Sequence, residues 1–402
     1  MIINNFSSAR LLSQEKPRIV SKQEYKLETL LFLPPNYERK AEGGLRVKGY
    51  FKHSYKCIGN ECLSVSNTES RWMLENRNEL MADIFLETIA GDNIGYSNRE
   101  KQEIDTAYST DTRKWHICDT DGNPVKPAAM ETQEKINEYI HGLSAETHEI
   151  PKNTEDKFMI FLPLITVITV VFNGVKTIEE TIQSVVNQTY PNIEYIIIDG
   201  GSMDGTQNII KKYGGVIDYW VSEPDKGIYD AMNKGISIAT GHWVNFMNSG
   251  DKFYNKYIVG IIQNYLNADI VYGDSMHFDE KINNAVYKNI GKDVNKWNPK
   301  FCHQSLFEKK EWLCKYPFNL KYHVGADFNQ YLECHYNKAT RKYIPQTIAI
   351  FLKGGFSSQL SYFESIYEFY HIIKKYRPIY AMFYFFTRTI KSILMKMSGF
   401  KK

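Results

Sequence analysis

The chain has 402 residues, 43% of them hydrophobic and 24% charged, with a formal net charge of +3. That length exceeds one compact domain of ordinary size and allows a substantial core, while so small a net charge gives no basis for nucleic acid as a partner. Six cysteines are too few for a disulfide framework, and the opening MIINNFSSARLLSQEKPR has no apolar run that could act as a signal peptide, so a reducing, cytoplasmic setting is expected.

Residues 1–55 read as an irregular leader, broken by Pro34-Pro35 and ending in the Gly-punctuated basic run Gly43 to Lys52. Residues 56–157 turn polar and acidic and are expected to form an accessory or inserted module. Two amphipathic helices are predicted in it, Glu69 to Ile89 and Met130 to Leu143, around a turn at Thr120 to Pro127. The spacings of His53, Cys57, Cys62, His116 and Cys118 depart from those of structural zinc sites.

At Leu162 to Gly174 the pattern changes to a β-branched run, as expected of a parallel strand buried on both faces. Ile178, Ile182, Val185 and Val186 then follow helical spacing, and Ile193 to Gly201 reads as a second buried strand, completing a βαβ unit. The alternation recurs through Asp218 to Pro224, Ile228 to Ala239, His242 to Asp251 and Asp269 to Asp274. The expected fold is therefore α/β, with a doubly wound, mostly parallel sheet flanked by helices over residues 158–356. Residues 357–402 form a basic, aromatic helical tail. From His371 onward it holds eight Lys or Arg and no acid, a composition suited to an anionic membrane surface, with packing against the preceding domain as the alternative. No apolar stretch reaches the roughly 20 residues a spanning helix needs.

Ligands of open α/β sheets bind beyond the carboxyl ends of the strands. Four strands here run abruptly into polar turns, at Phe172-Asn173-Gly174, at Asp199 to Thr206, at Glu223 to Gly227 and at Asn248 to Asp251. A carboxylate ending a buried strand, such as Asp199, needs a donor, which a nucleobase N–H could supply; capping the turn is the alternative. Asp251 has the hard oxygens that a cation prefers, with an ordinary turn Asp as the alternative. Asp327 stands at the start of a predicted helix, where an N-cap would also place an Asp.

TVITVVFNG, IIIDGGSMDGT, EPDKGIYDAMNKGI, NFMNSGD, HQS and GADFNQYL occur in this order, and together they resemble the blocks of the family 2 glycosyltransferases, inverting enzymes with the GT-A fold. The resemblance runs from about Leu162 to about Phe356. It implies transfer of a sugar from a nucleotide-sugar donor, most simply a UDP-sugar, to a saccharide or lipid-linked acceptor in bacterial surface-polysaccharide synthesis. It also implies Mn²⁺ or Mg²⁺ on Asp251 and Asp327 as the general base. Donor contacts are implied for Phe172, Asn173, Asp199, Gly201, Asp225, Gly227, Asn233, Ser249 and His303. Lys226 reads equally as a surface lysine, and His303 equally as a structural histidine. The NSGD block has Gly250 where the family often carries a second acid. That departure keeps a catalytically inactive nucleotide-sugar-binding module open as an alternative, beside a sugar nucleotidyltransferase. P-loop, nucleophile-elbow and HExxH signatures are absent from the sequence.

Overall fold

A computed structural model describes residues 12, 14–17, 19, 22–58, 61–65, 159–190, 192–279, 284–288, 302–354 and 362–397. The helices predicted within 56–157 lie outside the described residues.

The sheet forms where the sequence is most β-branched. Strand β5 (Ile165–Val171) is buried along its whole length, and so is β6 (Ile193–Asp199). Helix α1 (Ile178–Val186) joins them and buries Ile178, Ile182, Val185 and Val186, the positions expected from a 3.6-residue period. Next come α2 (Thr206–Lys212), β7 (Tyr219–Ser222), α3 (Ile228–Ile238) and β8 (Trp243–Phe246). Strands β7, β6, β5 and β8 are neighbours in that order and run parallel. Ile165 and Val167 pack with α1 and α2 on one face of the sheet, and Ile168 and Val170 pack with Ala231, Met232 and Ile236 of α3 on the other. This is the doubly wound arrangement expected from the sequence, with helices on both faces of a parallel core. Each such buried aliphatic side chain contributes about 1.5–3 kcal/mol. Helix α3 lies so close to β5 that a Cβ on Gly235 would stand 2.6 Å from Ile168 Cγ2, so any larger residue there would push the layers apart.

Beyond β8 the sheet continues through β12 (Leu306–Lys309), β10 (Ile270–Asp279), β13 (Arg341–Leu352) and the short β9 (Lys252–Phe253), with β11 (Asn284–Lys288) on β10. Here only the β10–β13 pair is parallel. Helices α4 (Ile258–Ile262), α5 (Lys310–Lys315) and α6 (Ala326–Tyr336) complete this half. Two long helices follow, α7 (Tyr362–Tyr376) and α8 (Pro378–Met397), where the helical tail was expected.

The expected leader differs from the structure. Ala41–Gly43 forms β1, which pairs antiparallel with β7 and closes that edge of the main sheet. Leu33, Leu45 and Phe51 are buried against the domain. Arg46 forms a buried ion pair with Glu194, and Lys52 one with Asp218 at 2.9 Å. Further along, β2 (Ser54–Ile58) pairs with β3 (Glu61–Val65) and β4 (Met159–Leu162) in a separate antiparallel sheet. Residues on both sides of the expected module boundaries thus share hydrogen bonds.

Candidate active site

Because β5 to β8 are parallel, the turns that follow them share one edge of the sheet, and hydrogen bonds lace them together. The Asn173 amide donates to Ser202 Oγ at 2.7 Å, and Asn173 Oδ1 accepts from the Met203 amide at 3.0 Å. Asn173 adopts the left-handed region, φ 50°, which Asn tolerates better than most residues. The Gly174 amide donates to Thr206 Oγ1 at 2.9 Å and the Val175 amide to Asp204 Oδ2 at 3.0 Å. The hydroxyls of Thr177 and Ser249 lie 2.9 Å apart, tying the first turn to the fourth. Phe172 and Met203 project from this lattice, 65% and 83% exposed.

Asp199 is fully buried at the end of β6, and its oxygens are satisfied from within the protein. They accept from the Ser202 amide at 3.1 Å, from the Ser202 hydroxyl and from Ser222 Oγ at 2.5 Å. The carboxylate therefore clamps its own turn to the end of β7. The next turn presses against it, since a Cβ at Gly200 would lie 2.5 Å from Asp225 Oδ2. Asp225 accepts from the Gly227 amide at 2.8 Å. Burial raises its pKa, and the negative neighbours Asp230 and Asp199 push the same way. Gly227, at φ 106°, has open space beside its Cα. Asn233, expected at the donor, instead exchanges two hydrogen bonds with the backbone of Phe318.

Two basic residues of the supposed leader reach this edge. Lys40 Nζ donates to the Gly201 carbonyl at 2.6 Å, and Arg39 Nε donates to Glu223 at 2.8 Å, opposite Lys234 at 2.8 Å. Burial alone would raise the Glu223 carboxyl; Lys234 and Arg39 overcome it and leave the group below its usual range.

Asp251 is 4% exposed, and both its oxygens are engaged, Oδ1 by the Leu352 amide at 2.9 Å and Oδ2 by Gln304 Nε2 at 2.6 Å. Burial pushes its pKa up to about 7. Among the described residues no group of three or more His, Cys, Asp or Glu could hold a metal ion. Placed this way, Asp251 does not fit the part of an open cation ligand: it is a buried clasp between the β8 turn, the end of β13 and the turn His303–Ser305.

Asp327 occupies the first turn of α6 and is partly exposed. Its Oδ1 accepts from Tyr229 Oη at 3.2 Å and from the Phe328 amide at 2.7 Å. Burial, reinforced by Asp327, raises the Tyr229 phenol well above its ordinary value, so it stays a donor. His303 packs against the rings of Phe246 and Phe318, at centroid distances of 4.9 and 5.6 Å, and those two rings also touch each other, at 5.4 Å. Burial lowers its pKa against the pull of Asp327, which keeps the imidazole neutral at pH 7. Its Nε2 is buried without a partner, as is Asn248 Oδ1. Glu368 of α7 accepts from the amides of His323, Val324 and Gly325 at 2.9, 2.9 and 2.6 Å, fixing the loop that leads to Asp327.

The structure thus gathers Asp225, Gly227, Tyr229, His303 and Asp327 around the turns after β7 and β8, while Asp199 and Asp251 fix the turns after β6 and β8 and Asn233 fixes the backbone at Phe318. Sequence reasoning missed Arg39, Lys40, Tyr229 and Glu368. Only Tyr229 carried a signal, as an aromatic residue inside the EPDKGIYDAMNKGI block.

Residues 166–319 match the model of glycosyl transferase family 2. A PGL/p-HBAD biosynthesis glycosyltransferase of Mycobacterium tuberculosis is 27% identical over 208 residues, which cover 49% of this chain and 80% of that protein. An uncharacterized glycosyltransferase of the same organism is 41% identical over 102 residues, 25% of this chain and 39% of that one. Among solved structures, S. aureus TarS 1-349 in complex with UDP-GlcNAc aligns with 52% of this chain and 66% of its own, at TM-score 0.45 and 17% identity. Mannosyltransferase PcManGT from Pyrobaculum calidifontis, in complex with GDP-Man and Mn2+, aligns with 68% and 86%, again at TM-score 0.45 and 17% identity.

Proposed function

We propose that this protein, whose residues 166–319 match glycosyl transferase family 2, transfers a sugar from a nucleoside-diphosphate sugar to a hydroxyl of a saccharide or lipid-linked acceptor, with inversion at the anomeric carbon. The observation that carries the reading is the environment of Asp327. This carboxylate is partly open to solvent and oriented by two donors, the Tyr229 hydroxyl and the Phe328 amide.

In the proposed reaction the acceptor oxygen forms a bond to the anomeric carbon as the bond from that carbon to the diphosphate breaks. The electron pair leaves with the nucleoside diphosphate, and the hydroxyl proton passes to Asp327. A carboxylate suffices because the hydroxyl becomes acidic as the new bond forms. Tyr229 holds Asp327 in place. On the donor side, the exposed Phe172 ring offers a face to a base, and Gly227 leaves room for a close approach of the diphosphate. No step is assigned to a divalent cation, because Asp251 is engaged by Leu352 and Gln304.

The test is Asp327→Asn, assayed against UDP-, GDP- and TDP-sugars for donor binding and for transfer. The amide still accepts from Tyr229 but takes up no proton. Donor affinity should be unchanged while kcat falls about 10²–10⁴-fold, the usual contribution of a positioned base. An equal loss of donor binding would move Asp327 to the donor, and full activity would remove it from the chemistry.

A further inference from the structure

The outer face of α8 is apolar where a surface helix should be polar. Ile379, Met382, Phe383, Phe386, Ile390 and Ile393 are each more than half exposed. At about 100° per residue they fall on one stripe along the helix. The opposite face is already used: Ala381 is fully buried, and the Phe385 ring lies 5.3 Å from Tyr370 and 6.2 Å from Phe363, both of α7. The exposed stripe is therefore a second apolar face, not a core face turned outward. A contiguous patch of this kind marks an interaction surface.

Charge decides what covers it. The stretch from His371 to the end of the sequence holds eight Lys or Arg and no Asp or Glu. Arg388, Lys391 and Lys396 belong to α8 itself, and Lys374, Lys375 and Arg377 stand just before it in the sequence. No helix among the described residues is long and apolar enough to cross a membrane. An apolar stripe on a basic helix too polar to span is the pattern of a helix lying in the plane of an anionic bilayer. We infer that α8 docks the protein on an anionic lipid surface, with the stripe from Ile379 to Ile393 in the acyl boundary and the lysines at the headgroups. The inner side of the same helical pair carries Glu368, which holds the loop before Asp327, so the docked helices also support the candidate base. The docking itself does not depend on the reading of Asp327.

The full chain should sediment with vesicles of phosphatidylcholine and phosphatidylglycerol, more weakly with phosphatidylcholine alone, and less at high salt. Phe383→Glu/Phe386→Glu should lower the partition coefficient about a hundredfold or more, since two aromatic anchors are lost. Both side chains are exposed, so the thermal transition should stay in place, which separates lost docking from lost folding. The inference is overturned if the chain ignores phosphatidylglycerol vesicles at low salt or binds both vesicle types equally. It is also overturned if the double variant binds unchanged, or if light scattering shows a dimer that this variant dissociates while no vesicle binding is seen.

Discussion

A carboxylate that ends a buried strand needs donors, and either a ligand or the neighbouring loops can supply them. Asp199 and Asp251 take theirs from the loops, whereas Asp327 stays partly exposed and Gly227 has open space beside its Cα. The same physics makes burial felt in titration. Asp251 and Glu308 are both pushed up to about 7 by burial. A carboxyl raised in the folded state holds its proton where the unfolded chain has lost it, so each group contributes an increasing cost as pH rises from about 4 to about 7. Glu308 isolates this effect, because it sits on β12 facing Gln330 and Cys334, away from Asp327 and Asp225. Glu308→Gln should stabilise the protein at pH 8 by on the order of 3 kcal/mol, with a smaller gain at pH 5, read from urea denaturation at the two pH values. A gain that does not grow with pH would mean that Glu308 is not raised.

Among the elements, the βαβ core was legible because its signal is local. The β-branched runs of β5 and β6 and the 3.6-residue spacing of α1 each lie within one stretch of sequence. The site was legible only to the extent that its blocks follow those strands. The use made of Asp251 depends on a partner 101 residues away, and the Asp327 loop on Glu368, 43 residues beyond Gly325. No periodicity encodes such pairs. Glu368 also gives α7 a second task besides packing, since three amides converge on one carboxylate just before the helix that carries Asp327. Glu368→Gln keeps the size but weakens the acceptor. It should lower stability by about 2 kcal/mol and kcat by tenfold to a hundredfold, with donor affinity unchanged, because a small displacement of a reacting group is enough for such a loss. Recovery with Glu368→Asp would show that the negative charge matters; an unchanged kcat would confine Glu368 to stability.

At the scale of the whole molecule, the start of the catalytic unit was the feature least visible in the sequence. The change of pattern at Leu162 marks where the strongest strand begins, yet the sheet is closed at its β7 edge by a three-residue strand from residues 41–43, too short to show an alternation. Behind it, Arg46 spans from Glu194 on β6 to the Leu31 and Ile238 carbonyls, the last two at 2.9 and 2.8 Å. Glu194, also held by Thr166 and Thr240, is wholly buried, and Arg46 helps keep its carboxyl below the usual range against burial. Breaking a buried pair by removing one partner leaves a bare charge and typically costs about 3–5 kcal/mol, whereas replacing both with apolar residues can be neutral. Arg46→Met should therefore destabilise the protein by about that amount in urea denaturation, and Arg46→Met/Glu194→Leu should recover most of the loss. If the first 55 residues were instead a leader separate from the fold, Arg46→Met would leave the denaturation midpoint where it is.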